Sequence, residues 1–386
     1  MQEVREAILK NEVHPVCEST ECPFQREHPA IRVRKEQLHL TESFARDFDE
    51  EWYLSKYPDV RLALDERRFS SGLEHYLLDG IDERKQYRLR NQLSLLNPRK
   101  LFRRIVSGRS SERDDEAFGT ETPRRNAILT LLEYSRGATV VRNNPVDVVL
   151  ALTTRCNYRC VMCPQGMDMI TNPHDMPLKW IEALDRQIDG ATKMVADGLG
   201  EPTLSPGFWA LAERIKGRDD LYCRTNSNGS QITPETASKI VESGLAEISV
   251  SVDAATPETY RKIRGDDLSR AINGVENLVR ARRASPNSHL RIYANMTLMM
   301  ANIDELVDFV KLCGKMGVDA ADISQLFSFG DKPEWKLERD GFEFIYSDQM
   351  IQNDPIKAKT CIQAADKAAR QIGIRVRFTN KTDQYL

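Results

Sequence analysis

The sequence predicts an α/β fold: a parallel sheet whose strands alternate with helices, preceded by a small helical module. Three observations carry this. From Val146 onward, short apolar runs alternate with amphipathic helical runs. Between Phe48 and Gly80, aromatic and aliphatic residues recur at roughly helical spacing. The length, 386 residues, suits two domains or one large one.

Residues 1–40 are polar and charged, and their pattern HPVCESTECPFQREH has no long apolar periodicity, so a loosely docked segment is expected. His14, Cys17, Cys22 and His28 are zinc-type ligands, but their spacing does not match the usual finger patterns. Residues 41–95 include FDEEWYLSKYPDVRLALDERRFSSGLEHYLLDG, where breaks at Pro58 and Gly72 predict two or three short helices around an aromatic core. Residues 96–124, rich in arginine and interrupted by glycine and proline, read as a charged linker. The last domain, 125–386, opens with the amphipathic stretch RNAILTLLEYSRG and continues through VDVVLAL, WIEALDRQI, KMVADG, FWALAERIK, LYCRTN, PETASKIVESG and AEISVSVD. A long helical run from Pro257 to Ala284, HLRIYANMTLMM, DELVDFVKLCGKMG and ADISQLF follow. Six strands each followed by a helix imply parallel pairing through right-handed crossovers, with functional residues just beyond the strands' C-terminal ends.

Composition excludes several classes. Acidic and basic residues number 58 and 55, a net charge of -3, so nothing favours a nucleic-acid partner. No apolar run approaches the ~20 residues of a membrane span, and MQEVREAILK lacks a signal peptide's apolar core. A cytoplasmic location is expected, and eight cysteines in this arrangement suit reduced thiols better than a disulfide framework.

Three of those cysteines, Cys156, Cys160 and Cys163, stand as CxxxCxxC in ALTTRCNYRCVMCPQG, directly after the first strand. Thiolates hold iron–sulfur clusters, and three of them leave one iron of a four-iron cube without a protein ligand. Zinc is the competing reading, although a closed structural site takes four protein ligands and the loop offers no fourth.

TTRCNYRCVMCPQG resembles the cluster loop of the radical S-adenosylmethionine (radical SAM) superfamily, and GLGEP (198–202), RTNSNG (224–229), SVSVDAATPETYRKIRG (249–265) and ANMTLMMAN (294–302) follow in that family's order. The resemblance covers about residues 125–380. It implies a partial (β/α)6 TIM-like barrel, a [4Fe-4S] cluster on the three cysteines, and S-adenosyl-L-methionine on the open iron. It further implies an oxidoreductase-type enzyme fed by an electron donor such as flavodoxin or ferredoxin, in which a 5′-deoxyadenosyl radical abstracts hydrogen from a substrate.

Carried over residue by residue, Glu201 would meet the methionine ammonium, while Gly198 and Gly200 let the backbone approach the ligand. Asn226, Asn228, Ser251 and Asp253 would meet the ribose hydroxyls and the carboxylate. Ser249 and Ser251 share a strand face, and Asn295 or Thr297 is a further candidate near the adenosyl group. Met162 stands where the family commonly has an aromatic residue, and it is polarizable enough to cover an adenine face. Tyr158 is placed to shield the cluster.

The core resembles SPASM-type members, yet after Cys163 only Cys223, Cys313 and Cys361 remain, too scattered for an auxiliary-cluster extension. They read as buried thiols, and a single cluster favours redox-neutral chemistry such as epimerisation or elimination over dehydrogenation. EEWYLSKYPDV and GLEHYLLDG resemble a helical module of bacterial polysaccharide-synthesis proteins, which implies a carbohydrate or glycolipid substrate. A small-molecule or peptide substrate remains the alternative within the family, and a non-catalytic metal-stabilised scaffold is the alternative outside it.

Overall fold

The computed structural model describes residues 48–87 apart from 67, 81, 82 and 84, parts of 126–133, and 139–385 apart from 219, 220, 287, 328–335, 380 and 381. His14, Cys17, Cys22, His28 and the expected linker at 96–124 lie outside the described residues. The chain divides into two compact units, Met1–Asp114 with Leu131–Arg142, and Asp115–Thr130 with Asn143–Leu386.

In the first unit, α1 (Glu50–Lys56), α2 (Pro58–Asp65) and α3 (Gly72–His75) precede a π-helical turn at Tyr76–Gly80. Asp49 caps α1 and Pro58 starts α2, as their sequence positions suggest. Tyr53 is fully buried among the rings of Phe48, Tyr57 and Tyr76, and its hydroxyl meets His75 Nδ1 at 3.1 Å. The aromatic residues at helical spacing therefore form a miniature core.

Glu74 is buried there, bonded by the Ser70 backbone N–H and hydroxyl and paired with Arg142 at 3.4 Å. Burial pushes its carboxyl upward, but Ser70 and Arg142 outweigh this and hold it below the ordinary value of 4.5. A carboxyl with a lowered folded-state pKa contributes stability above its unfolded pKa and loses it as pH falls through the folded one. Acidification below about pH 4.5 should therefore loosen residues 50–80, read by hydrogen exchange or Trp52 fluorescence. Glu74→Gln should remove that dependence and cost about 1.5–3 kcal/mol at neutral pH. An unchanged acid profile in that variant would contradict the assignment.

The second unit is a seven-stranded parallel sheet. Its strands are β1 (Asp147–Val149), β2 (Lys193–Val195), β3 (Tyr222–Ser227), β4 (Glu247–Ser251), β5 (Arg291–Leu298), β6 (Ala320–Gln325) and β9 (Arg375–Thr379), in that spatial order. Helices α4 (Leu178–Ala183), α5 (Asp185–Gly190), α6 (Pro206–Arg214), α7 (Pro234–Glu242), α8 (Pro257–Arg264), α9 (Leu268–Ala284), α10 (Leu306–Met316) and α11 (Pro355–Ile372) make the crossovers. Thr233, Thr256, Asp267 and Asp354 cap α7, α8, α9 and α11 by accepting from backbone N–H groups. Ile248, Val250, Ile292, Ala294 and Met296 pack with Ile240, Val275, Leu278 and Phe309 in one core. The alternate residues therefore turn to the other, concave face. With β1 and β9 as its two edges, the sheet is a partial TIM-like barrel.

It has one parallel strand more than the six expected. Arg375–Thr379 pairs with β6, Asp322 lying opposite Arg377. Its alternating arginines read as a solvated tail, but on the concave face Arg377 finds Asp322 at 2.5 Å and Glu247 at 3.3 Å. A second unexpected element is the antiparallel hairpin of β7 (Lys336–Arg339) and β8 (Phe342–Ile345). Its turn, Asp340-Gly341, has φ of 50° and 74°, the positive pair that two-residue hairpins favour.

Candidate functional site

The cysteine loop leaves β1 and crosses the C-terminal ends of the strands, and three neighbouring segments hold its path. From GLGEP, the Glu201 N–H donates to Arg155 O at 2.8 Å, and Leu199 O accepts from the Gln165 amide at 3.1 Å. From RTNSNG, the Asn228 amide donates to Asn157 Oδ1 at 2.9 Å. From the end of α8, Ile263 O accepts from the Val161 N–H at 2.9 Å, while the hairpin's Arg339 donates to Ile263 O and Arg159 O. The apolar side of the loop, Val161 with Met162 and Met167, packs against Ile263, Met299, Leu326, Phe344 and Tyr346.

The loop leaves Cys160 buried and Cys156 and Cys163 half-buried. Burial pushes all three thiols above their ordinary value, Cys160 to about 12. Unliganded, these sulfurs favour the protonated form, so binding of metal has to displace the protons. Among the described residues, no three Cys, His, Asp or Glu side chains converge on a position for a single metal ion. A four-iron cube takes its thiolates on separate irons.

The cation that would answer charge on these sulfurs is Arg264, a residue the sequence analysis did not single out. It is buried at the end of α8, 3.0 Å from Asp253 and 5.6 Å above the Tyr158 ring. Burial alone would lower its pKa, but Cys160 and Asp253 raise it further, so it stays charged. Its Nε has no protein partner. In the sequence YRKIRG it is one of three basic residues ending a helix, a pattern that reads as solvated. Only burial distinguishes it.

Several of the expected site residues have protein partners of their own. Glu201 is buried as expected, but protein donors already serve it: Thr203 Oγ1 and Ser227 Oγ reach Oε1 at 2.7 Å, and the Asn228 N–H reaches Oε2 at 2.7 Å. It ties the second strand's loop to the third's, and its two oxygens keep capacity to accept from a ligand as well. Gly200 makes room for protein, since a Cβ there would lie 2.5 Å from Arg155 O and 2.6 Å from Thr153 O; Gly198 is looser, with no neighbour nearer than 3.3 Å. Asp253, expected at the ribose, is wholly buried with φ of 55°, and Arg264 and the Thr297 N–H occupy its two oxygens. It is an anchor between strand ends. Asn228 is likewise buried, and its Oδ1 accepts from Ser230.

The remaining candidates stay available. Asn226 is exposed and bonds Asp197 at 2.7 and 2.8 Å. Ser251 and Asn295 lie opposite each other in register, both half-buried, and Thr297 follows on the same face. Met162 is half-buried between two apolar clusters, and Tyr158 is buried beneath Arg264. Cys223 and Cys313 are buried and Cys361 half-buried, on β3, α10 and α11.

Part of this chain is similar to known proteins. Residues 150–313 match the Radical SAM superfamily. A probable GTP 3′,8-cyclase of Thermococcus kodakarensis is 32% identical over 173 residues, 44% of this chain and 53% of that protein. The mycofactocin maturase MftC of Mycobacterium tuberculosis is 25% identical over 175 residues, 45% and 43% of the two chains. Streptococcus suis SuiB, in its structure with precursor peptide SuiA, aligns with a TM-score of 0.49 at 12% identity, covering 74% of this chain and 60% of SuiB. The chain spans about half the length of these two sequence relatives. The superfamily uses a [4Fe-4S] cluster and S-adenosylmethionine, and three clustered thiols with one buried cation beside them fit that pair. Over residues 150–313, this chain is similar to the radical SAM superfamily.

Proposed function

We propose that the protein is a radical SAM enzyme in which Cys156, Cys160 and Cys163 hold three irons of a [4Fe-4S] cluster and S-adenosylmethionine takes the fourth. The observation that carries this is the thiol triad on a loop braced by GLGEP, RTNSNG and α8, with Arg264 buried beside it. When bound, the cluster and its cofactor supply reductive cleavage to a 5′-deoxyadenosyl radical and hydrogen abstraction from substrate.

The protein's part is to hold and exclude. Arg264 offsets negative charge on the sulfurs, Asp253 fixes Arg264, and the apolar cluster around Phe344 keeps water from the back of the loop. Asn226, Ser251 and Asn295 offer hydrogen bonds at the strand ends for the cofactor's sugar and amino-acid portions. Reduction would come from a flavodoxin- or ferredoxin-type donor.

The substrate we favour is a carbohydrate or glycolipid intermediate, supported by the resemblance of residues 41–95 to a module of polysaccharide-synthesis proteins. Served by the cluster on these three cysteines, the reaction we favour is a redox-neutral epimerisation or elimination, with dehydrogenation as the alternative. A peptide substrate is the second reading, favoured by the style of GLGEP and SVDAATPETY. Anaerobic reconstitution of the full chain with iron and sulfide should give a brown protein that releases 5′-deoxyadenosine from S-adenosylmethionine under reduction. A colourless zinc protein with no such release would end the proposal and leave the scaffold reading.

A further inference from the structure

Period-two alternation turns Ser249 and Ser251 of β4, Asn295 of β5, Asp322 and Ser324 of β6, and Arg377 of β9 onto the sheet's concave face. Register brings the central ones together: Ser251 lies opposite Asn295, Asn295 opposite Asp322, and Asp322 opposite Arg377. Eight side chains among the described residues have a buried polar atom without a partner, and three of these atoms, Ser249 Oγ, Asp322 Oδ1 and Arg377 Nε, belong to this one face. Buried polar groups are nearly always hydrogen-bonded, so three orphans on one face need a common explanation.

We propose that Ser249, Asp322 and Arg377 form a subsite that reads the hydroxyls of a neutral sugar ring in the concavity of the partial barrel. The inference rests on the enzymatic reading above and names the groups that select its substrate. A hydroxyl both donates and accepts. It can give its proton to Asp322 Oδ1 while accepting from Arg377 Nε, and a neighbouring hydroxyl can meet Ser249 Oγ. Arg377 keeps 26% of its side chain exposed. Half-buried Ser251, Asn295 and Ser324 carry the polar surface toward the strands' C-terminal ends, where the cysteine loop lies.

Other ligand classes fit this surface poorly. An apolar side chain would leave all three orphans unpaired, the condition under which a polar site rejects an analogue most strongly. A polyphosphate would need spare cations, but Arg377 is matched by Asp322 at 2.5 Å and Glu247 at 3.3 Å, and Arg224 faces Asp197 at 3.6 Å. The Arg377 guanidinium also lies 4.2 Å from the Tyr293 ring, which fixes its plane and the direction of its Nε–H.

Saturation-transfer NMR on the full-length chain tests the subsite, with methyl glucoside, methyl galactoside and methyl N-acetylglucosaminide as hydroxylated probes. GTP serves as the polyphosphate probe and a leucine-rich hexapeptide as the apolar one. The expected result is transfer to the hexoside ring protons, with Ser249→Ala and Asp322→Asn each weakening that binding at least tenfold. Ser249→Ala should melt no lower than wild type, because it removes a hydroxyl with no protein partner; it decides the matter if Asp322→Asn does not fold. Preference for GTP or the peptide, no hexoside binding, or unchanged hexoside affinity in Ser249→Ala overturns the subsite and leaves these atoms to ordered water. Release of 5′-deoxyadenosine by the wild type is scored separately. Its absence with hexoside binding intact refutes the enzymatic reading and spares the subsite.

Discussion

Alanine at any one of Cys156, Cys160 or Cys163 should abolish the iron–sulfur absorbance of the reconstituted protein and all reductive cleavage of S-adenosylmethionine. Each thiolate holds a different iron, and the loop offers no fourth cysteine to substitute. For Cys156 and Cys163 the effect should be confined to the metal: both are only half-buried, so their loss opens no large cavity, and these two apo variants should unfold close to the wild type, whereas the buried Cys160 should also cost some stability. Cys223→Ala and Cys313→Ala invert the pattern. Both thiols are fully buried in the core, and removing either should cost about 1–2 kcal/mol of stability while iron content stays at the wild-type level. Iron and sulfide analysis of the five variants, beside urea unfolding of their apo forms, separates the two groups. A loop variant that retains four irons and activity would refute the cluster assignment.

Arg264→Met should be the most destabilising single change in the barrel, by about 3–5 kcal/mol, because it leaves the fully buried Asp253 carboxylate without its cation. Asp253 sits in a left-handed backbone conformation, and its other oxygen accepts from the Thr297 N–H, so the side chain has no easy route to water. Adding Asp253→Asn to Arg264→Met should recover part of the loss, since a neutral amide is cheaper to bury than an unpaired charge. Chemical denaturation of the apo proteins measures both. A single variant within about 1 kcal/mol of wild type would show that the pair is dispensable to the fold. The role beside the sulfurs has its own readout in Arg264→Lys, which keeps the charge: reconstituted at equal iron content, it should hold the cluster's reduction potential nearer to wild type than Arg264→Met does.

Much of the architecture was legible because it follows from local chemistry. Strands β3 to β6 alternate polar and apolar residues with a period of two, and the helices between them carry Thr or Asp caps followed by proline or an amphipathic run. The cysteine loop was legible for the same reason, since CxxxCxxC brings three ligands together within eight residues whatever the rest of the chain does. The seventh strand was not. RVRFT has the right period, but its arginines become interior residues only once Asp322 and Glu247 arrive from β6 and β4. The hairpin was not legible either, because its docking against the cysteine loop runs through Arg339 to Ile263 O and Arg159 O, far away in sequence.

The same division runs through the site. By itself the sequence determined the spacing of the three cysteines, the order of the motifs and the parallel sheet, because each is written in residues close together in the chain. Only the tertiary structure decided what the charged and polar residues do, since that depends on burial and on partners far away in sequence. Glu201 receives hydrogen bonds from Ser227 and Asn228, and Asp253 an ion pair from Arg264. Gly200 serves the close approach of the cysteine loop because the carbonyls of Thr153 and Arg155 fill the space a Cβ would take. An ionisable side chain costs little in water and a great deal in the interior, so its function is fixed by the dielectric and the neighbours that folding gives it, and neither is encoded at its own position.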